Sequence, residues 1–146
     1  MRCFQDIINL ADEKIMDAQC LLSAGRLDGA YYIAGYNIEL LLKAKVCKTL
    51  GIDNFFHFGN RAKLLKDESN ITRTYRVHDL DQLMILSGIF SLFQQEISVN
   101  TDFRASWSII KDWNEGHRYL TGKTQRDVQD LLTSINKFWL WIQNHL

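Results

Sequence analysis

The sequence predicts an all-α protein, an up-and-down bundle of about five helices in one domain spanning residues 1–146. Three observations carry this. The 146 residues contain no proline, where average usage of about 5% would give roughly seven. Apolar residues recur at threes and fours over most of the chain, which is the period of an amphipathic helix. Residues that start and stop helices stand at the edges of those periodic stretches. A chain of this length buries enough surface to fold without disulfides or metal. Its 47% hydrophobic and 23% charged residues exclude wholesale disorder.

The first helix is predicted from Phe4 to Ala24, because Phe4, Ile7, Ile8, Ala11, Ile15, Ala18 and Leu22 fall on one face and Gly25 can stop it. A second runs from about Asp28, as its N-cap, to about Leu50, with Gly51 as terminator. Between Ala30 and Ala44 the only side chains that are neither apolar nor glycine are Asn37, Glu39 and Lys43. Such a helix has almost no solvent face and belongs at the centre of a bundle or at an interface. Ala30, Ala34 and Gly35 would let neighbours approach closely.

Residues 52–77 lose the periodicity and read as an irregular excursion, with Phe55, Phe56 and Phe58 clustered and a short helix over Asn60 to Lys66. The third helix begins at Asp79, with Gln82 three residues on completing a capping-box pattern, and is expected to break near Gly88 and resume. The segment Thr101 to Tyr119 reads as the fourth, with Phe103, Trp107, Ile110 and Trp113 at helical spacing. Thr124 caps the last helix and Asp127 sits near its positive end. Val128, Leu131, Leu132, Ile135, Phe138, Trp139, Ile142 and Leu146 form its apolar stripe.

Seventeen basic against 17 acidic residues give zero formal charge, so no global basic field draws the chain to nucleic acid. A local excess of three positive charges lies in 60–76, where Arg61, Lys63, Lys66, Arg73 and Arg76 face Asp67 and Glu68; it reads as a solvated loop or a contact for an anionic partner. The longest apolar stretch, Leu83 to Phe93, has eleven residues, where a membrane span needs about twenty. No signal-peptide pattern follows Met1, so a cytoplasmic location without membrane association is expected. Cys3, Cys20 and Cys47 are odd in number and lack a CxxC pair, which reads as reduced thiols. His57, His78, His117 and His145 show no i, i+4 pairing for a metal, and neither a glycine-rich phosphate loop nor a GxSxG elbow occurs. No metal or cofactor is expected.

Tyr32, Tyr36, Glu39 and Lys43 are spaced four, three and four apart and share one helix face. A Glu–Lys pair in so apolar a helix costs desolvation that the pair alone repays poorly. Two readings stand: a structural network, or a ligand or dimer cleft. A second cluster is Trp107, Trp113, Glu115, His117, Arg118 and Tyr119, in which Arg118 suits a phosphate and the aromatics suit a stacked base. The same tryptophans also read as core. Arg73 and His78 would suit a metal-free ribonuclease, the His moving a proton and the Arg stabilising the phosphorane; a His beside a helix start also simply packs there.

"LLSAGRLDGAYYIAGYNIELLLKAKV" (Leu21 to Val46), "HDLDQLMILSG" (His78 to Gly88) and "SWSIIKDWNEGHRYL" (Ser106 to Leu120) resemble, in order and spacing, the HEPN family (higher eukaryote and prokaryote nucleotide-binding domain). With the terminal helix the resemblance covers nearly the whole chain. It implies a helical bundle pairing as a homodimer around a cleft. It also implies a place among toxin–antitoxin or phage-defence proteins, with an operon partner such as a nucleotidyltransferase. Many such proteins are metal-independent ribonucleases with an Arg followed after four to six residues by a His. Here no His stands in that window after Arg118. The expected function is therefore a non-catalytic module that binds a nucleotide or RNA through Tyr32, Tyr36, Glu39, Lys43, Arg118 and Tyr119. A ribonuclease using Arg118 with His117 or His78, and a structural partner protein, are the alternatives.

Overall fold

The computed structural model describes residues 4–52 and 77–146. These are all-helical and form an up-and-down bundle: α1 (Phe4–Ser23), α2 (Leu27–Leu50), α3 (Leu80–Leu86), α4 (Phe90–Val99), α5 (Thr101–Lys111), a 3-10 helix (Glu115–Tyr119) and α6 (Gln125–Ile142). The excursion expected over 52–77, with its phenylalanines, short helix and basic excess, lies outside the described residues except at its two ends, as do Cys3, His57 and Arg73.

The centre of the bundle is α2, which packs against α1, α3, α6 and the 3-10 helix. Its apolar residues point all round, and Ala30, Ala34, Ile38, Leu41, Leu42, Ala44 and Val46 have no exposed surface. The neighbours within one chain therefore account for the missing solvent face, which by itself calls for no second copy. Gly51, at φ 64°, ends the helix in the left-handed conformation that glycine adopts without strain, as its position suggested.

Two expectations at helix ends are corrected. Asp28 does not cap α2. Arg26 stands at the N-cap, and the Asp28 carboxylate instead accepts the Lys123 backbone N–H at 2.8 Å, tying the start of α2 to the approach to α6. Nor does one helix run from Thr101 to Tyr119. It stops at Lys111, and Asn114 opens the separate 3-10 helix through a capping box with His117. The reason is tertiary: Trp113, 2% exposed, turns inward onto α2 and donates its indole N–H to the Tyr32 carbonyl at 3.1 Å.

Other ends fall where the sequence placed them. Asp79 accepts the Gln82 N–H at 2.9 Å at the start of α3, which breaks at Gly88 before α4. Thr124 and Asp127 form a reciprocal capping box on α6. Phe93, Trp107, Phe103 and Phe138 interlock α4, α5 and α6, with Phe93 and Trp107 centroids 4.7 Å apart edge to face. No described helix is long and apolar enough to cross a membrane.

Candidate functional site

Four residues singled out on α2 border one cavity of about 440 Å³: Tyr32, Tyr36, Glu39 and Lys43. Ile7 and Leu10 of α1 supply apolar wall, and His78, immediately before the α3 cap, closes another side. The tyrosine hydroxyls share a hydrogen bond at 3.0 Å, and the rings meet edge to face with centroids 5.1 Å apart. Trp113 backs both rings, at 6.3 Å from Tyr32 and 5.5 Å from Tyr36. Burial, and then the bond to Tyr32, push the Tyr36 hydroxyl pKa far above the usual phenol range, so Tyr36 keeps its proton.

Below the tyrosines lies a charged network in an apolar setting. Glu39 is 1% exposed and Lys43 9%. Lys43 Nζ donates to Glu39 Oε1 at 2.6 Å, and His78 Nδ1 reaches the same oxygen at 2.9 Å. On its other side His78 Nε2 stands 3.2 Å from Glu115 Oε2, so one imidazole joins a buried carboxylate on α2 to a half-exposed one on the 3-10 helix. A neutral imidazole donates to only one of these partners, whereas an imidazolium donates to both. Glu39 Oε2 is buried and accepts no hydrogen bond among the described residues. Lys14, also at the cavity, is paired with Asp17 at 2.7 Å.

Arg118 and Tyr119 stand apart from this wall. Both are exposed, Tyr119 by 76%, and the guanidinium lies 4.8 Å from the Tyr119 ring centroid. Tyr119, ahead of Tyr32 and Glu115, raises the Arg118 pKa further, and the Arg118 charge opposes the rise at Tyr36. The guanidinium is thus within electrostatic reach of the tyrosine pair without bordering the cavity. His117, offered as a catalytic partner, caps the 3-10 helix: its Nδ1 accepts the Asn114 N–H at 3.1 Å. Among the described residues no group of three His, Cys, Asp or Glu side chains could hold a metal ion.

Sequence reasoning undervalued His78 and Glu115 as members of the Glu39 network. The contact of His78 with Glu39 spans 39 positions, which no local spacing reveals. One signal was present: His78 precedes the capped start of a helix, and such a residue is held wherever that helix docks. The chain matches no protein-family model, no curated protein and no solved structure.

Proposed function

We propose that the protein is a non-catalytic, HEPN-like module that binds a nucleotide or an RNA end in the cavity beside α2 and works as a homodimer. The observation that carries this reading is the meeting of the Tyr32–Tyr36 pair with the Glu39–Lys43–His78 network on one cavity of about 440 Å³. That volume lies within the usual range for small-ligand sites, roughly 300–1,000 Å³, which combine apolar walls with a few convergent polar groups. A base would pack on the tyrosine rings, and its phosphate would be drawn to Arg118, which forms no ion pair among the described residues. The unpartnered Glu39 Oε2 would take a donor from the ligand. Exposed Tyr119 and Leu120 offer a second copy an apolar contact beside Arg118. A role in toxin–antitoxin or defence systems, in the cytoplasm and with a nucleotidyltransferase partner, belongs to this same reading.

Calorimetric titration with adenosine, guanosine, cytidine and uridine monophosphates and a 5′-phosphorylated oligoribonucleotide tests it. Saturable binding, lost in Arg118→Ala without a change in melting temperature, is expected. No heat from any of these ligands at millimolar concentration would overturn it. Sedimentation at tens of micromolar should give twice the 17.0 kDa chain mass, and a monomer would sink the dimer.

A second reading, a metal-independent ribonuclease, is favoured by His78. It is 43% exposed at the side chain, with Nδ1 held by the buried Glu39, and Nε2 would serve as an oriented general base once it leaves Glu115, 3.2 Å away. The proposal expects structured RNA to survive incubation with the protein in chelator. Cleavage that disappears in a folded His78→Ala variant would make the second reading correct.

A further inference from the structure

Asn37 lies two residues before Glu39, a rotation of about 200° around α2, and so faces away from the Tyr32–Lys43 cavity. It is 3% exposed. Its Nδ2 donates to the Ala11 carbonyl of α1 at 2.9 Å, which fixes the orientation of the amide. Its Oδ1 is then left buried with no hydrogen bond among the described residues. A buried acceptor without a donor carries its whole desolvation penalty, and native proteins rarely leave one so.

This side chain borders a second cavity, of about 370 Å³, between α1, α2 and α6. Around it stand Asp12 and Gln19 of α1 and Asn136 and Trp139 of α6, over an aliphatic floor. Among the described residues no Lys, Arg or His borders it, and Asp12 forms no ion pair there. The formal charge of the lining is therefore negative.

We propose that this cavity is a binding site for a small organic cation with an alkylammonium group. An ammonium supplies three donors and no acceptor, which complements Asn37 Oδ1 and the Asp12 carboxylate. The Trp139 ring adds an aromatic face, which attracts cations, and the aliphatic floor receives the alkyl stem. An anion would meet Asp12, and a purely apolar ligand would leave Oδ1 unpaired. The site stands on the opposite face of α2 from the nucleotide cavity and does not depend on it.

The test is a titration of the ¹⁵N-labelled protein with n-butylammonium chloride at constant ionic strength, with 1-butanol and sodium butyrate as size-matched controls. The expected result is a saturable shift of the Asn37 side-chain NH2 and Trp139 indole resonances by the ammonium alone. Asp12→Asn, an exposed position, should keep its melting temperature and bind about fivefold more weakly. Absence of a saturable shift, an equal shift from butanol, or an unaltered affinity in Asp12→Asn would overturn the proposal. So would a slowly exchanging water detected at the Asn37 amide that persists under excess ammonium.

Discussion

Trp113 occupies the space that any side chain on Gly35 would need. A Cβ built at Gly35 overlaps the Trp113 indole ring, and the indole N–H is bonded one turn earlier, to the Tyr32 carbonyl at 3.1 Å. The glycine thus lets an aromatic ring from beyond α5 lie directly on the α2 backbone, where it backs the two tyrosines of the candidate site.

Gly35→Ala should therefore destabilise the protein, although alanine is the better helix former. The helical gain is about 1 kcal/mol. Overpacking costs about 1–3 kcal/mol or more, and here the obstacle is a rigid, hydrogen-bonded ring. We expect a lower thermal midpoint, by roughly 2–4 °C per kcal/mol of net loss, and an altered near-ultraviolet tryptophan signal. A midpoint equal to or above that of the parent would show that Trp113 moves aside freely.

Lys43→Met removes one charge from a pair in which Glu39 is 1% exposed. The buried carboxylate keeps His78 at 2.9 Å but loses its ammonium partner at 2.6 Å. Breaking a buried pair from one side costs about 3–5 kcal/mol, whereas removing both charges is far cheaper. Urea unfolding should show that loss in the single variant and partial recovery in Lys43→Met with Glu39→Gln. A single variant as stable as the parent would mean that the pair is solvated and belongs to the ligand site alone.

At the other end of the molecule the α6 cap sets an acid dependence. The Asp127 carboxylate accepts the Thr124 backbone N–H at 2.8 Å and its hydroxyl at 2.9 Å. These bonds, the backbone one first, hold its pKa below the ordinary 3.8. A depressed folded pKa gives stability that is present above 3.8 and is lost as the pH falls through the folded value. Asp127→Asn should melt below the parent at neutral pH, and the gap should narrow as the pH falls from 3.8 through the lower folded value. A gap constant across that window would rule out this cap as the source.

The two described cysteines differ in reactivity by position. Cys20 is exposed on α1, whereas Cys47 is 2% exposed and burial raises its thiol pKa to about 11. Since the thiolate is the nucleophile, iodoacetamide at pH 8 should modify Cys20 in the native protein and reach Cys47 only after denaturation. Peptide mass spectrometry reads this directly, and equal rates at the two sites would contradict the packing of α2.

Much of the fold was legible because it is written locally. The absence of proline, the three-and-four periodicity, Gly51 at a left-handed C-cap, Asp79 at an N-cap and the Thr124–Asp127 box all act within a few residues of the chain. The three polar residues between Ala30 and Ala44 of α2 were visible for the same reason, as interruptions of an apolar stretch: Asn37, Glu39 and Lys43 are all buried, and each borders a cavity. What local chemistry could not decide was which distant group meets which. Asp28 has every property of a cap and serves Lys123 instead, 95 positions away. Trp113 continues a helical spacing yet leaves the helix to pack on Gly35, and His78 finds Glu39 across 39 positions. Helix periods and caps depend on interactions over one or two turns, which the sequence states outright. The partner of a buried polar or aromatic group depends on how whole helices dock, and only the tertiary structure fixes that.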